Sequence, residues 1–273
     1  MSDISATDEL FYDRTGLNRT RVGTIVDDAL HGADDGELYL EYRQSESLVF
    51  DDGRLKSAAF DTTQGFGLRA VAGEATGYSH SSELSEAAMK RAGSTVRAVL
   101  AGDGGTFADA PTGTNQSLYA DDNPLGLVAF KDKVDLLAGI NEYARASDEK
   151  VQQVMASLSG EWQAVQIIRP GGLRVADVRP LVRLNVSVVV GQGDRMESGS
   201  FGTGGRVTFE RYLDPASWKS AVDGSTPQAI GNLLFRPGPP RGMPGELGPG
   251  SPGSSFDRAH GDAPRGAVKR HKT

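Results

Sequence analysis

Between Glu37 and Arg43 the chain alternates: Leu38, Leu40 and Tyr42 lie on one side, Glu37, Tyr39, Glu41 and Arg43 on the other. A period of two is that of a strand with one buried face. Ser47 to Phe50 reads as a second strand, Asp52-Gly53 as a hairpin turn, and Arg54 to Thr62 as the return. Gly65 to Val71 and Ala75 to Ser79 form a further pair around Gly73, so the pattern predicts an antiparallel sheet over 37–79. Upstream, Val22, Ile25, Val26, Ala29 and Leu30 fall at helical spacing and Gly32 closes that helix. Residues 1–20 are polar and are expected to be loosely ordered.

Downstream, Leu84, Ala88, Ala92, Val96 and Val99 share one helical face, predicting a helix from about Leu84 to Leu100 with Ser81, Ser82 or Ser85 as its cap. Residues 106–124, with Pro111, Gly113, Asn115 and Pro124, read as a linker. A second long helix is expected over Phe130 to Ala146, with Val134, Leu137, Ile140 and Tyr143 inward. From Val151 the pattern becomes strand again, through Glu161–Ile168, Leu173–Val178, Leu181–Val190 and Arg195–Phe201, with Gly160 among the glycines marking turns, and Asp214-Pro215 opens a short helix. The fold class is α+β: two antiparallel-sheet units, each packed with a long helix, and a disordered C-terminal tail. The boundaries are a flexible N-terminus (1–20), a first α+β region (21–105), a linker (106–125), a second region (126–225) and a divergent tail (226–273).

Composition sharpens the picture at that tail. Of the chain's 13 prolines, seven lie between Phe235 and Thr273, together with eight glycines and only Phe235, Met243, Leu247, Phe256 and Val268 as large apolar residues. Such a segment buries too little surface to offset its ordering entropy. Seven basic and three acidic residues make this stretch +4, so the rest of the chain, with a total of −7, carries −11. A body that acidic repels nucleic acid and anionic membranes. No apolar run approaches a membrane span and the start, Met1-Ser2-Asp3-Ile4-Ser5, is no signal peptide, so a cytoplasmic protein is expected. With no cysteine, disulfides, thiol nucleophiles and thiolate metal ligands are excluded.

Candidate chemistry is sparse. The four histidines are His31, His80, His260 and His271, and no two share a helix face at the spacing of a zinc site. His31 suits a helix C-terminus and His80 a surface turn. Gly202-Thr203-Gly204-Gly205 lacks the Lys-Ser/Thr of a phosphate loop and enters a strand. Gly65-Phe66-Gly67 reads as close backbone packing, Ser198 and Ser200 have no evident partner residues, and the acidic pairs Asp51-Asp52 and Asp121-Asp122 are turn residues.

Three stretches nevertheless resemble one family. Thr63-Gln64-Gly65-Phe66-Gly67-Leu68-Arg69-Ala70-Val71, followed by Gly77-Tyr78-Ser79 and Leu84-Ser85, is similar to the first region of the TldD/PmbA family. Ala176-Asp177-Val178-Arg179-Pro180-Leu181-Val182-Arg183-Leu184-Asn185-Val186, extended by Glu197-Ser198-Gly199-Ser200, resembles the middle region of its TldD branch. Gly242-Met243-Pro244 and Leu247 to Gly253 resemble the lead-in to its metal helix. The resemblance implies a zinc metallopeptidase acting on unfolded or flexible peptides, with a PmbA/TldE-like partner subunit. The family's metal helix carries His-Glu-x-x-x-His. Here Asp257, Arg258 and Asp262 stand in those places and His260 is out of register. An arginine cannot act as a general base. The resemblance therefore carries over no catalytic, cofactor-binding or metal residue. The chain is expected to be an inactive portion, truncated before the metal site, with no zinc of its own. Its alternative role is a non-catalytic binding subunit, and its tail reads as GC-rich coding sequence taken out of frame.

Overall fold

The computed structural model describes residues 4–98 and 119–234. Six strands, β1 (Asp35–Asp51), β2 (Arg54–Ala72), β3 (Ala75–Ser81), β4 (Val151–Ile168), β5 (Arg174–Gln192) and β6 (Arg195–Gly205), form one antiparallel sheet in the order β3-β2-β1-β4-β5-β6. Around it lie α1 (Ile4–Asp8), α2 (Arg19–Ala29), α3 (Glu86–Arg97), α4 (Pro124–Leu127), α5 (Phe130–Ser147) and α6 (Pro215–Leu234). The α+β class is as expected, and the two strand groups join along the β1–β4 ladder, which runs from Leu38↔Ile168 to Asp51↔Met155.

Several expected strands fuse into longer ones. Gln44, Ser45 and Glu46 break the apolar alternation without breaking the ladder, because β2 and β4 pair with β1 on both sides there. β5 runs through Pro180, beyond Gly205 where the antiparallel β6 ends opposite Val182, so one edge of β5 is unpaired there among the described strands. The hairpin at Asp52-Gly53 forms as expected, with φ of 51° and 83° at the two turn residues, the left-handed pair that an Asp-Gly turn supplies.

The buried face carries two apolar clusters. Leu38 and Leu40 of β1, Phe66, Leu68 and Ala70 of β2 and Ile168 of β4 pack under α2 and α3. Leu48 and Phe50 of β1, Val154, Ala156 and Leu158 of β4 and Val182, Leu184, Val186, Val188 and Val190 of β5 pack under α5 and α6. Both α3 and α6 start as their sequence dictates: Ser85 accepts from Ala88 N at 3.1 Å, and Asp214 from Ala216 N at 3.0 Å.

Between the clusters lies a polar belt. Lys133, 2% exposed, pairs with Glu46, donates to the Leu125 carbonyl at 2.8 Å and stands 4.6 Å from the centre of the Phe209 ring. Asn123 donates to Gln44 at 2.8 Å, and Tyr42 meets Trp162 edge-on. These contacts satisfy polar groups that burial would otherwise penalise.

Three boundaries change. Ile4–Asp13, expected to be loose, is helical, with Phe11 fully buried and Tyr12 3% exposed. The fully buried Gln166 anchors it, accepting from the Tyr12 hydroxyl at 2.8 Å and donating to Asp8 at 2.9 Å and Thr7 at 3.1 Å. At the boundary placed at 226 the chain is still helical: α6 extends to Leu234 through Gly224 and Pro227, held by its packing on β5 and β6. The linker placed at 106–125 already contains the start of α4 at Pro124. Residues 99–118, and the tail from Phe235 with Asp257, Arg258, His260, Asp262 and His271, lie outside the described residues.

Candidate functional surface

Among the described residues, helices cover one face of the sheet and leave most of the other open, which an antiparallel sheet allows when that face is polar. The run from Ala176 to Val186 shows how the sequence builds both. Ala176, Val178, Pro180, Val182, Leu184 and Val186 are buried, while Asp177, Arg179, Leu181, Arg183 and Asn185 alternate onto the open face. Ladder pairing carries that face across the strands. Thr63, Arg43, Gln163 and Arg179 make one row, and Asp61, Ser45, Glu161 and Leu181 the next.

Several charges on this face are paired. Arg43 meets Glu161 at 2.5 Å, and Arg179 Nε donates to Asp177 at 2.7 Å, a carboxylate that also accepts from the Tyr119 hydroxyl at 3.2 Å. Glu41 accepts from Tyr39 at 2.8 Å and from Gln163 at 2.7 Å. Burial, and then the adjacent Glu41 carboxylate, push the Tyr39 hydroxyl far above its ordinary pKa, so it stays protonated. At the centre is a trough of about 280 Å³, floored by Ser45, Ser47, Ala59 and Ser159 and flanked by Arg43, Glu161, Asp61 and Arg183. Such a surface offers hydrogen bonds and charges of both signs.

The glycine motifs have structural roles. A Cβ at Gly67 would come within 2.6 Å of the Tyr78 hydroxyl, and one at Gly65 within 2.7 Å of the Ser81 carbonyl. Gly199 lies against α6, where a Cβ would collide with the Ser225 carbonyl and the Ala229 amide. Beside it, Ser200 N donates to Gln228 at 2.9 Å and Asn232 to the Ser198 carbonyl at 3.0 Å. The Glu197-Ser198-Gly199-Ser200 run is thus a seat for a helix, and Gly202 to Gly205 continue the strand rather than forming a loop. Asp51 and Asp52 lie at the hairpin, as expected of turn residues.

His31 is exposed beyond the end of α2, and His80 is exposed on β3, stacked on Tyr78. Among the described residues no three His, Asp or Glu side chains come together to hold a metal. The described residues therefore do not fit a zinc site. The open face was not singled out from the sequence. Its signal was present in the polar members of each alternating run, but which runs adjoin one another is a property of the ladder alone.

A six-stranded antiparallel sheet, helical on one face and polar on the other, defines the class of module, and comparison with known proteins places it. Residues 36–100 match the PmbA/TldA metallopeptidase domain 1, and residues 123–225 the central domain of the same family. The chain belongs to the PmbA/TldD family. It is 33% identical over 254 residues to a metalloprotease TldD homolog of Haemophilus influenzae, covering 88% of this chain and 51% of that protein. A second TldD homolog, from Buchnera aphidicola subsp. Schizaphis graminum, is 29% identical, covering 97% of this chain and 56% of its own length. The chain thus spans about half the length of these relatives.

Solved structures share the fold. A putative modulator of DNA gyrase from Thermotoga maritima superposes with a TM-score of 0.58 at 19% identity, over 75% of this chain and 46% of that one. TldE from Thermococcus kodakarensis does so with 0.53 at 14%, over 74% and 46%. The two family regions are the two halves of one sheet, meeting at the β1–β4 ladder.

Proposed function

We propose that this chain is the non-catalytic, sheet-forming portion of a TldD-type metallopeptidase, which by itself retains no zinc and hydrolyses no peptide. One observation carries the reading: the two matched regions build one sheet whose open face is a surface of charges and small side chains around a trough. That surface is equipped to hold a polypeptide or a protein domain and not to activate water. Zinc and proteolysis belong, on this reading, to the half of the relatives that this chain does not span.

The test is metal analysis of the chelator-washed protein together with a casein and peptide-pool hydrolysis assay, with and without added zinc. Zinc well below one equivalent and no cleavage above the buffer blank are expected. One retained zinc per chain, or cleavage abolished by chelator, would sink the proposal. A second reading makes the chain a cytoplasmic binding subunit for flexible peptides or for a PmbA/TldE-like partner. Its fold likeness to a TldE favours it, and co-purification of such a partner is the outcome that would select it.

A further inference from the structure

β2 contains a stretch unlike any other in the sheet. From Lys56 to Gln64, nine consecutive residues are exposed on both faces. β1 pairs with this stretch on one side, but β3 pairs only with Phe66 to Ala72, so no described strand occupies the other side. Among the described residues, the backbone N–H and C=O groups along that side have no strand partner.

Proteins normally protect such an edge with prolines, bulges, several lysines or a short strand. Here there is no proline, and the β1–β2 register shifts only at Val49/Phe50, near the hairpin. The one lysine, Lys56, is engaged with Asp51 at 2.8 Å. Every other side chain in the stretch except Phe60 is small or uncharged apart from Asp61, so a neighbouring strand meets no obstacle. Phe60 is 60% exposed and stands at the midpoint of the nine residues.

We propose that this edge pairs with the same edge of a second copy, antiparallel about a two-fold axis at Phe60, joining the two sheets into one. The observations choose this occupant by symmetry. Two-fold antiparallel pairing through a sheet plane opposes residues of equal parity and puts each patch on its own copy. Centred on Phe60, it brings all nine residues into the ladder. Phe60 meets Phe60, Ala58 meets Thr62, Ala59 meets Asp61, Ser57 meets Thr63 and Lys56 meets Gln64. No like charges oppose each other, and the exposed aromatic ring is covered by its own mate, a favourable cross-strand pair.

The chain has no cysteine, which makes the register directly readable. Opposed Cα atoms in an antiparallel ladder lie about 4.5–5.5 Å apart, within the span of a disulfide. Light scattering of the wild-type chain at about 100 µM, where mass action favours association, should report twice its 28.9 kDa. Phe60→Lys, which sets two cations on the axis, should halve that mass. Under mild oxidation Phe60→Cys should give at least about tenfold more covalent dimer than Thr24→Cys on the exposed surface of α2, as only a residue on the axis meets itself. Three results would each overturn the proposal: a monomeric wild type, a dimer untouched by Phe60→Lys, or equal cross-linking at positions 60 and 24. All concern this edge alone, so they leave the proposal about zinc and peptide cleavage standing or falling on its own assay.

Discussion

Arg69 shows how much of this molecule is decided by single side chains. It reaches from β2 to β1, donating to both Glu37 oxygens at 2.7 Å and to Asp35 at 2.9 Å, while Arg169 holds the other Asp35 oxygen at 2.8 Å. Burial alone would raise the Asp35 pKa. The Arg69 hydrogen bond, the Gly36 amide and the Arg169 charge outweigh it and hold the carboxyl below its ordinary value. A carboxylate depressed by folding stabilises the fold above its unfolded pKa, and that stability is lost as pH falls through the folded value. Asp35→Asn should therefore lower the urea midpoint at pH 7. The gap from wild type should narrow as pH drops below about 4, the ordinary carboxylate range. A gap that stays constant between pH 7 and pH 3 would show that the carboxylate charge is not what matters at this position.

At the scale of elements, the most demanding contact is that of α6 on β6. Gly199 has α6 backbone where a side chain would be, whereas Gly205, six residues further along the same strand, has nothing within 4 Å of the place a methyl group would take. Gly199→Ala should cost about 1–3 kcal/mol, the usual penalty of overpacking, and should red-shift Trp218, a buried α6 residue. Gly205→Ala should stay within about 0.5 kcal/mol of wild type. Equal effects at the two positions would mean that α6 accommodates the methyl by sliding. The sequence placed the start of α6 correctly from Asp214-Pro215 but foresaw only a short helix. Gly224 and Pro227 are poor helix formers, and burial of Ala221, Val222, Ala229 and Leu233 overrides them. The same override orders Ile4–Asp13: a polar-looking segment is pinned by Gln166, more than 150 residues away in the chain.

At the scale of the whole molecule, β1, β4 and β5 each contribute to both apolar clusters. Neither cluster can lose its strands without disturbing the other, so the described body should unfold as one unit. The chain's two tryptophans make this measurable. Trp162 packs against one cluster and Trp218 lies in the other. In single-tryptophan variants the two reporters should give coincident denaturation curves, and Leu40→Ala, at about 2–5 kcal/mol, should shift both. Separate transitions would show two independently folding halves, the picture that the matched family regions taken singly would imply.

The alternation of apolar and polar residues by itself determined the strands, their buried faces, the Asp52-Gly53 hairpin, the helices capped at Ser85 and Asp214, and the α+β class, because each rests on periodicity or local hydrogen bonding. The glycine and Ala176–Val186 runs also carried the family resemblance. What only the tertiary structure decided is which runs adjoin. The β1–β4 ladder that merges two sheet units, the Glu46–Lys133 pair between the cores, the seat of α6 on Gly199 and the charged open face all join residues distant in sequence. Their energies depend on close approach in space, which local pattern does not encode.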